Sequence, residues 1–251
     1  MKMKQDKTPW LKLSERALVS YHEKQFQNPY RSTVSFARWL EHLKLLSAKD
    51  SKNILDIGCG EGANISYLAR KFPNSAFTGI DLNKTLVEKG NAILKKLKFT
   101  NCKLEKGDLY DLDTKYQGNI DGIISLQTLS WLPSYQQPIE EMVKLKPDWI
   151  AMSSLFYDGF IESEIKVRDY SGLNKKHTEV FYNVYSLKLV EDLFRKKGYK
   201  KFKYIPFEID IDIKRNKNGR MGTYTVKTAE GARLQISGPL LMNWYFIMAA
   251  K

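Results

Sequence analysis

Cysteine and histidine are scarce in this sequence: 251 residues contain two of the first and three of the second. Cys59 and Cys102 have neither the paired spacing of a zinc site nor that of a disulfide framework, so no metal and a reduced compartment are expected. Long hydrophobic runs are missing too. No window approaches about 18 uninterrupted apolar residues, and the most apolar stretch, Leu240 to Ala250, is broken by Asn243. The basic segment Met1 to Lys12 lacks the apolar run of a secretory signal. These absences predict a soluble, cytoplasmic protein with no membrane partner. Internal repeats, low-complexity tracts and Arg-rich runs are also lacking.

Hydrophobic residues at 43% and aromatics at 12% indicate a globular chain long enough to bury a core. The formal charge of +13 would draw phosphate-rich partners, a nucleic acid or a nucleotide-linked substrate. The lysines are scattered in ones and twos, as at Lys95-Lys96, Lys175-Lys176 and Lys200-Lys201, which reads as a solvated surface. Nucleic acid is therefore admitted as a partner and not favoured.

From about Trp10 to Leu46 the apolar residues recur at helical spacing, interrupted at Asn28-Pro29, which predicts a helical cap over 1–50. Over 51–154, short apolar runs alternate with amphipathic segments, the pattern of βαβ units. Strands are expected at 53–57, 76–81, 102–106, 121–126 and 149–154, with helices near 62–72, 83–97 and 135–145. This is an α/β, Rossmann-like doubly wound sheet. A polar and aromatic insertion, 155–185, would cover the carboxyl ends of the strands. Residues 186–251 would add a helix at 186–197, antiparallel strands at Phe202 to Ile213 and Trp244 to Ala249, and a β-hairpin around Ala229-Glu230-Gly231. All four segments are expected to form one domain.

The chemistry sits at Ile54-Leu55-Asp56-Ile57-Gly58-Cys59-Gly60-Glu61-Gly62. In an open α/β sheet the ligand occupies the crevice at the carboxyl ends of the strands, where the winding reverses. Gly58, Gly60 and Gly62 let the backbone turn and approach a ligand closely. Asp81, 23 positions beyond Gly58, ends the second strand, where a carboxylate can accept from both ribose hydroxyls of an adenosine. Asp108 follows the third strand and is either an adenine-amino ligand, with Leu82 and Leu109 on the ring, or a turn residue. A dinucleotide site also satisfies the glycine spacing. Asp56 argues against it, because a carboxylate has no use beside a pyrophosphate and suits a ligand carrying an ammonium and a sulfonium.

Asp56-x-Gly58-x-Gly60-x-Gly62, Asp81, Asp108-Leu109 and Ile124-Ser125-Leu126-Gln127 resemble the successive motifs of class I S-adenosylmethionine-dependent methyltransferases over about 50–155. The resemblance implies S-adenosyl-L-methionine as cofactor. Gly58, Cys59, Gly60 and Gly62 would hold its methionine part, Asp81 the ribose, Asp108 and Leu109 the adenine, and Ser125, Leu126 and Gln127 the strand end facing the methyl group. Tyr21-His22-Glu23-Lys24-Gln25, Pro29-Tyr30-Arg31-Ser32 and Gln235-Ile236-Ser237-Gly238-Pro239 further resemble bacterial methyltransferases that accompany surface-polysaccharide biosynthesis.

An oxygen acceptor needs a base, an amine only needs to be unprotonated. Candidate catalytic residues are His22, Gln127 and His177. His42, between Leu40 and Leu43, reads as structural. Candidate acceptor-binding residues are Tyr21, Tyr30 and Arg31 in the cap, Trp131 after the fourth strand, and Tyr182 and Tyr185 in the insertion. The leading expectation is methyl transfer to an oxygen or nitrogen of a small molecule, a sugar or nucleotide-sugar. The alternatives are a methyltransferase of RNA or protein, and a non-catalytic adenosylmethionine-binding module.

Overall fold

The computed structural model describes residues 25–170, 178–216 and 221–251. The first helix there, α1 (Arg31–His42), buries Phe36, Ala37, Trp39 and Leu40, one stripe at helical spacing. The expected cap before residue 25 lies outside the described residues. Five parallel strands follow: β1 (Asn53–Ile57), β2 (Ala76–Asp81), β3 (Cys102–Lys106), β4 (Gly122–Leu126) and β5 (Trp149–Ser154). Between them run α2 (Ala63–Lys71), α3 (Lys84–Lys96) and α4 (Gln136–Lys144). The Asn83 side chain caps α3 by accepting from the backbone N–H groups of Thr85 and Leu86. Only a 3-10 turn, Thr114–Tyr116, stands between β3 and β4.

The insertion forms short strands β6 (Phe156–Tyr157), β7 (Lys166–Asp169), β8 (Thr178–Phe181) and β9 (Tyr185–Ser186), with β7 and β8 antiparallel. It seats on the loop after β4, where the Asn183 N–H donates to the Ser130 carbonyl at 2.8 Å. The helix α5 (Leu187–Lys196) is capped by Ser186. Then come β10 (Lys201–Phe207), β11 (Thr223–Lys227), β12 (Arg233–Ser237), β13 (Leu240–Leu241) and β14 (Trp244–Ala250).

The main sheet has seven strands in the order β10-β14-β5-β4-β1-β2-β3. The final strand, β14, is inserted antiparallel between β5 and β10. Its first residue therefore sits at the edge where the parallel strands end. One apolar cluster holds α1, α2 and α3 against one face, the other holds α4 and α5 against the opposite face. The doubly wound sheet with antiparallel terminal strands is as expected. Residues 202–213 are not one strand: pairing stops at Phe207, opposite Trp244, because β14 begins there. The hairpin is a three-stranded sheet, β11-β12-β13.

Candidate cofactor and acceptor site

The winding of the sheet reverses between β1 and β4, so the loop after β1 opens into a crevice. Gly58, Gly60 and Gly62 all have positive φ, at 76°, 57° and 79°. Gly58 has a second constraint, since a Cβ there would lie 2.6 Å from Thr128 Oγ1 in the loop after β4. The two loops thus touch through a position that admits no side chain.

Asp81 ties the loop to β2. Its Oδ2 accepts from the Gly60 N–H at 2.8 Å and its Oδ1 from the Asn83 N–H at 2.9 Å. Burial raises its pKa above the ordinary carboxylate range, and these two bonds oppose the rise. Asp56, on β1 between Gly79 of β2 and Ile124 of β4, is 1% exposed, and its Oδ2 has no hydrogen-bond partner. Burial first, and then the nearby Asp81 charge, push its pKa up to about 8. A buried carboxyl oxygen without a partner asks for a cation or a donor from outside the chain. Cys59 is also buried, and desolvation lifts its thiol well above its usual range.

Asp108 closes its own turn, its Oδ1 accepting from the Tyr110 N–H at 3.0 Å. Leu82 and Leu109 are half-buried just past β2 and β3, neighbouring strands of the sheet. After β4, Gln127 adopts φ 56°, and its N–H donates to the Ser153 carbonyl at 2.8 Å. Among the described residues, the other non-glycine positions with positive φ, Lys44, Lys98 and Lys146, follow helix ends; Gln127 follows a strand. Its left-handed backbone is a strained turn at the mouth of the crevice.

The structure brings Asp56, Gly58, Cys59, Gly60, Gly62, Asp81, Leu82, Asp108, Leu109, Leu126 and Gln127 to one edge of the sheet. Ser125 shares only the backbone of that edge. Its side chain is buried and donates to the Ile57 carbonyl at 2.8 Å, because alternation along β4 turns it away from the face that Asp56 occupies.

The candidate acceptor residues hold these places in the structure. Tyr185 is a buried scaffold group: its hydroxyl donates to the Leu132 carbonyl at 2.7 Å, and its ring lies edge-on to Tyr135 at 4.8 Å. Tyr182 is 3% exposed, edge-on to Trp131 at 4.9 Å and to Trp244 at 6.1 Å, and so acts behind the half-buried Trp131. Arg31 is spent on an exposed ion pair with Asp210, which fastens α1 to the segment after β10. Tyr30 is exposed, its hydroxyl accepting from Gln25 Nε2 at 2.7 Å. His42 ends α1 at a groove of about 520 Å³ shared with Trp39 and Tyr204. Tyr21, His22 and His177 lie outside the described residues.

Sequence reading missed Glu61, which is buried within the glycine loop. It also missed Ser153, Gln235 and Trp244, three residues with a buried polar atom that lacks a hydrogen-bond partner. A glutamine alternating in a hairpin carries no signal of burial, and a serine or tryptophan in an apolar strand reads as core. Among the described residues no group of three or more His, Cys, Asp or Glu side chains gathers to hold a metal, and no helix is long and apolar enough to cross a membrane.

Residues 48–202 match the family described as "Methyltransferase domain". An uncharacterised protein of Rickettsia prowazekii is 36% identical over 129 residues, 50% of this chain and 50% of that protein. The malonyl-[acyl-carrier protein] O-methyltransferase of Priestia megaterium is 36% identical over 107 residues, 42% of this chain and 37% of that enzyme. The chain thus spans half or less of the length of these two relatives. A SAM-dependent methyltransferase from Aquifex aeolicus shares the fold, with a TM-score of 0.52 at 15% identity over 95% of this chain and 98% of that one. The donor set fits S-adenosylmethionine: Asp56 can answer its ammonium, and Asp81 can exchange the Gly60 N–H for ribose hydroxyls.

Proposed function

Because this chain belongs to the methyltransferase domain family, whose cofactor is S-adenosylmethionine, we propose that it transfers a methyl group to an oxygen or nitrogen of a small molecule. The acceptor in this reading is a sugar or nucleotide-sugar of surface glycan biosynthesis, methylated in the cytoplasm. The observation that carries the cofactor half of the reading is Asp56, a fully buried carboxyl with an unpartnered oxygen two residues before the glycine loop.

The bound cofactor supplies a methyl on a sulfonium, open to in-line displacement by the acceptor. The chain supplies position. Asp56 orients the amino acid end, and the Asp81 carboxylate, already turned to the loop, takes the ribose. Asp108, Leu82 and Leu109 frame the adenine. Gln127, held in its left-handed turn by the bond to Ser153, is the residue assigned to the reacting end. Trp131, half-buried one turn later, is the aromatic ring assigned to stack on a sugar.

Both free cysteines suit the cytoplasm.

The test is thermal stabilisation by S-adenosylmethionine and S-adenosylhomocysteine, with Asp81→Ala as control. At a hundred times Kd each ligand should stabilise by about 2.7 kcal/mol, and the variant should lose the response. Absence of any shift would remove the cofactor from the reading. Incubation with methyl-labelled cofactor and either nucleotide-sugars or RNA then separates the acceptor classes by which becomes labelled.

A further inference from the structure

Beyond Asp56, three polar atoms are buried without partners toward the β14 side of the crevice: Ser153 Oγ, Gln235 Oε1 and Trp244 Nε1. Their placement is not scattered. Ser153 lies between Leu126 of β4 and Phe246 of β14 in the ladder. Phe246 packs on Phe36 and Trp39 of α1, which fixes the face. Trp244, two residues earlier on β14, shares that face and opens the strand at the carboxyl edge.

Gln235 is tied from the hairpin to the segment that leads into β14. Its Nε2 donates to Ser237 Oγ at 3.3 Å, and Ser237 Oγ donates to the Met242 carbonyl at 2.8 Å, two residues before Trp244. Gly238, with φ 58°, seats this turn on Tyr182: a Cβ there would be 2.8 Å from the ring. Tyr182 in turn touches Trp131 and Trp244. The hairpin therefore completes an aromatic wall beyond the end of β4, the side toward which the transferred methyl would point.

Folded proteins seldom leave such atoms unpaired, because burial strips them of water without repayment. Gln235 Oε1 can only accept and Trp244 Nε1 can only donate. A ligand serving both must bring a donor and an acceptor, and a hydroxyl brings both. None of Trp131, Gln235, Ser153 and Trp244 carries a charge, so a charged ligand group would find no counterion in them.

We propose that Gln235 and Trp244 form the acceptor-recognition subsite, which takes a neutral, hydroxyl-bearing ring against the Trp131–Tyr182 wall. This rests on the methyl-transfer reading and names the residues that set its specificity.

The test uses the full chain loaded with S-adenosylhomocysteine and titrated calorimetrically with methyl glycosides of glucose, galactose and a 6-deoxyhexose. Gln235→Met keeps volume and deletes the unpartnered atom, so it should melt at or above the wild-type temperature; Trp244→Phe deletes the indole N–H at the cost of a smaller ring and should melt below wild type while staying folded. The expected result is glycoside binding by the wild type, weakened at least tenfold in each variant, with the affinity for S-adenosylhomocysteine within twofold of wild type. Absence of glycoside binding by the loaded wild type, or equal binding by the variants, would overturn the subsite. Should S-adenosylhomocysteine itself not bind the wild type, the methyl-transfer reading falls, and the subsite with it.

Discussion

Asp56 sits where charge is expensive, and its pKa near 8 makes it protonated at neutral pH in the free protein. An ammonium placed beside it would restore the ionised form and release a proton. Affinity for S-adenosylhomocysteine should therefore rise with pH up to about 8. Calorimetry in buffers of different ionisation enthalpy should count close to one proton released near pH 6.5, and Asp56→Asn should release none. The same group acts on folding with the opposite slope. Its folded pKa exceeds the unfolded value of 3.8, so the folded state holds the extra proton between about pH 4 and 8. Stability of the free protein must fall as pH rises through that window, by on the order of a few kcal/mol. Chemical melts at pH 5 and 8 check this, and a flat profile would show that Asp56 stays charged.

Gly79 makes a steric case at the same scale. A Cβ on it would stand 2.4 Å from Ile65 Cδ1 and 2.7 Å from both Cys59 Sγ and Leu104 Cδ2. Gly79→Ala should cost about 1–3 kcal/mol by overpacking. Because Cys59 is one of the atoms displaced, the glycine loop should move with it. A denaturant midpoint that does not shift would mean the layer between β2 and α2 is looser than drawn.

At the scale of elements, β1, β2, β3 and β5 were legible to the residue, since short buried runs bounded by turn residues mark parallel strands at both ends. The stretch 202–213 was not. Alternation along β10 records which side chains turn inward and nothing about where its partner stops, and β14 stops pairing at Trp244. The cofactor edge was legible because glycines and spaced acids have few other uses. The acceptor wall was not, because it joins β4, the insertion and the hairpin, segments spread over more than a hundred residues of chain, by contact alone. Gln127 joins the two, and its left-handed turn belongs to the β4 end as an element. Gln127→Ala should lower kcat roughly 10- to 100-fold at unchanged cofactor affinity if the side chain faces the methyl. Gln127→Gly relaxes the turn as well, and recovery of kcat in it relative to alanine would assign the effect to the backbone.

Over the whole molecule the question is what a net +13 does. Some of its cations are paired, at several places on the surface. Lys71 pairs with Glu41 on the α1 side, Lys103 and Lys115 with Glu105 at the β3 edge, Lys197 with Glu140 across α5 and α4, and Lys227 and Arg233 with Asp212 beneath the hairpin. Such exposed pairs contribute about 0–1 kcal/mol each to stability. Their larger effect is to remove these cations from the continuous stripe that a phosphate backbone would need. Binding of RNA should accordingly be weak, non-saturating at micromolar protein and lost as salt rises from 50 to 200 mM, since counterion release is then its only source. A filter-binding series over that range decides the matter. Saturable binding that survives 200 mM salt would need base or shape contacts, and would move the acceptor from a neutral ring to a nucleic acid.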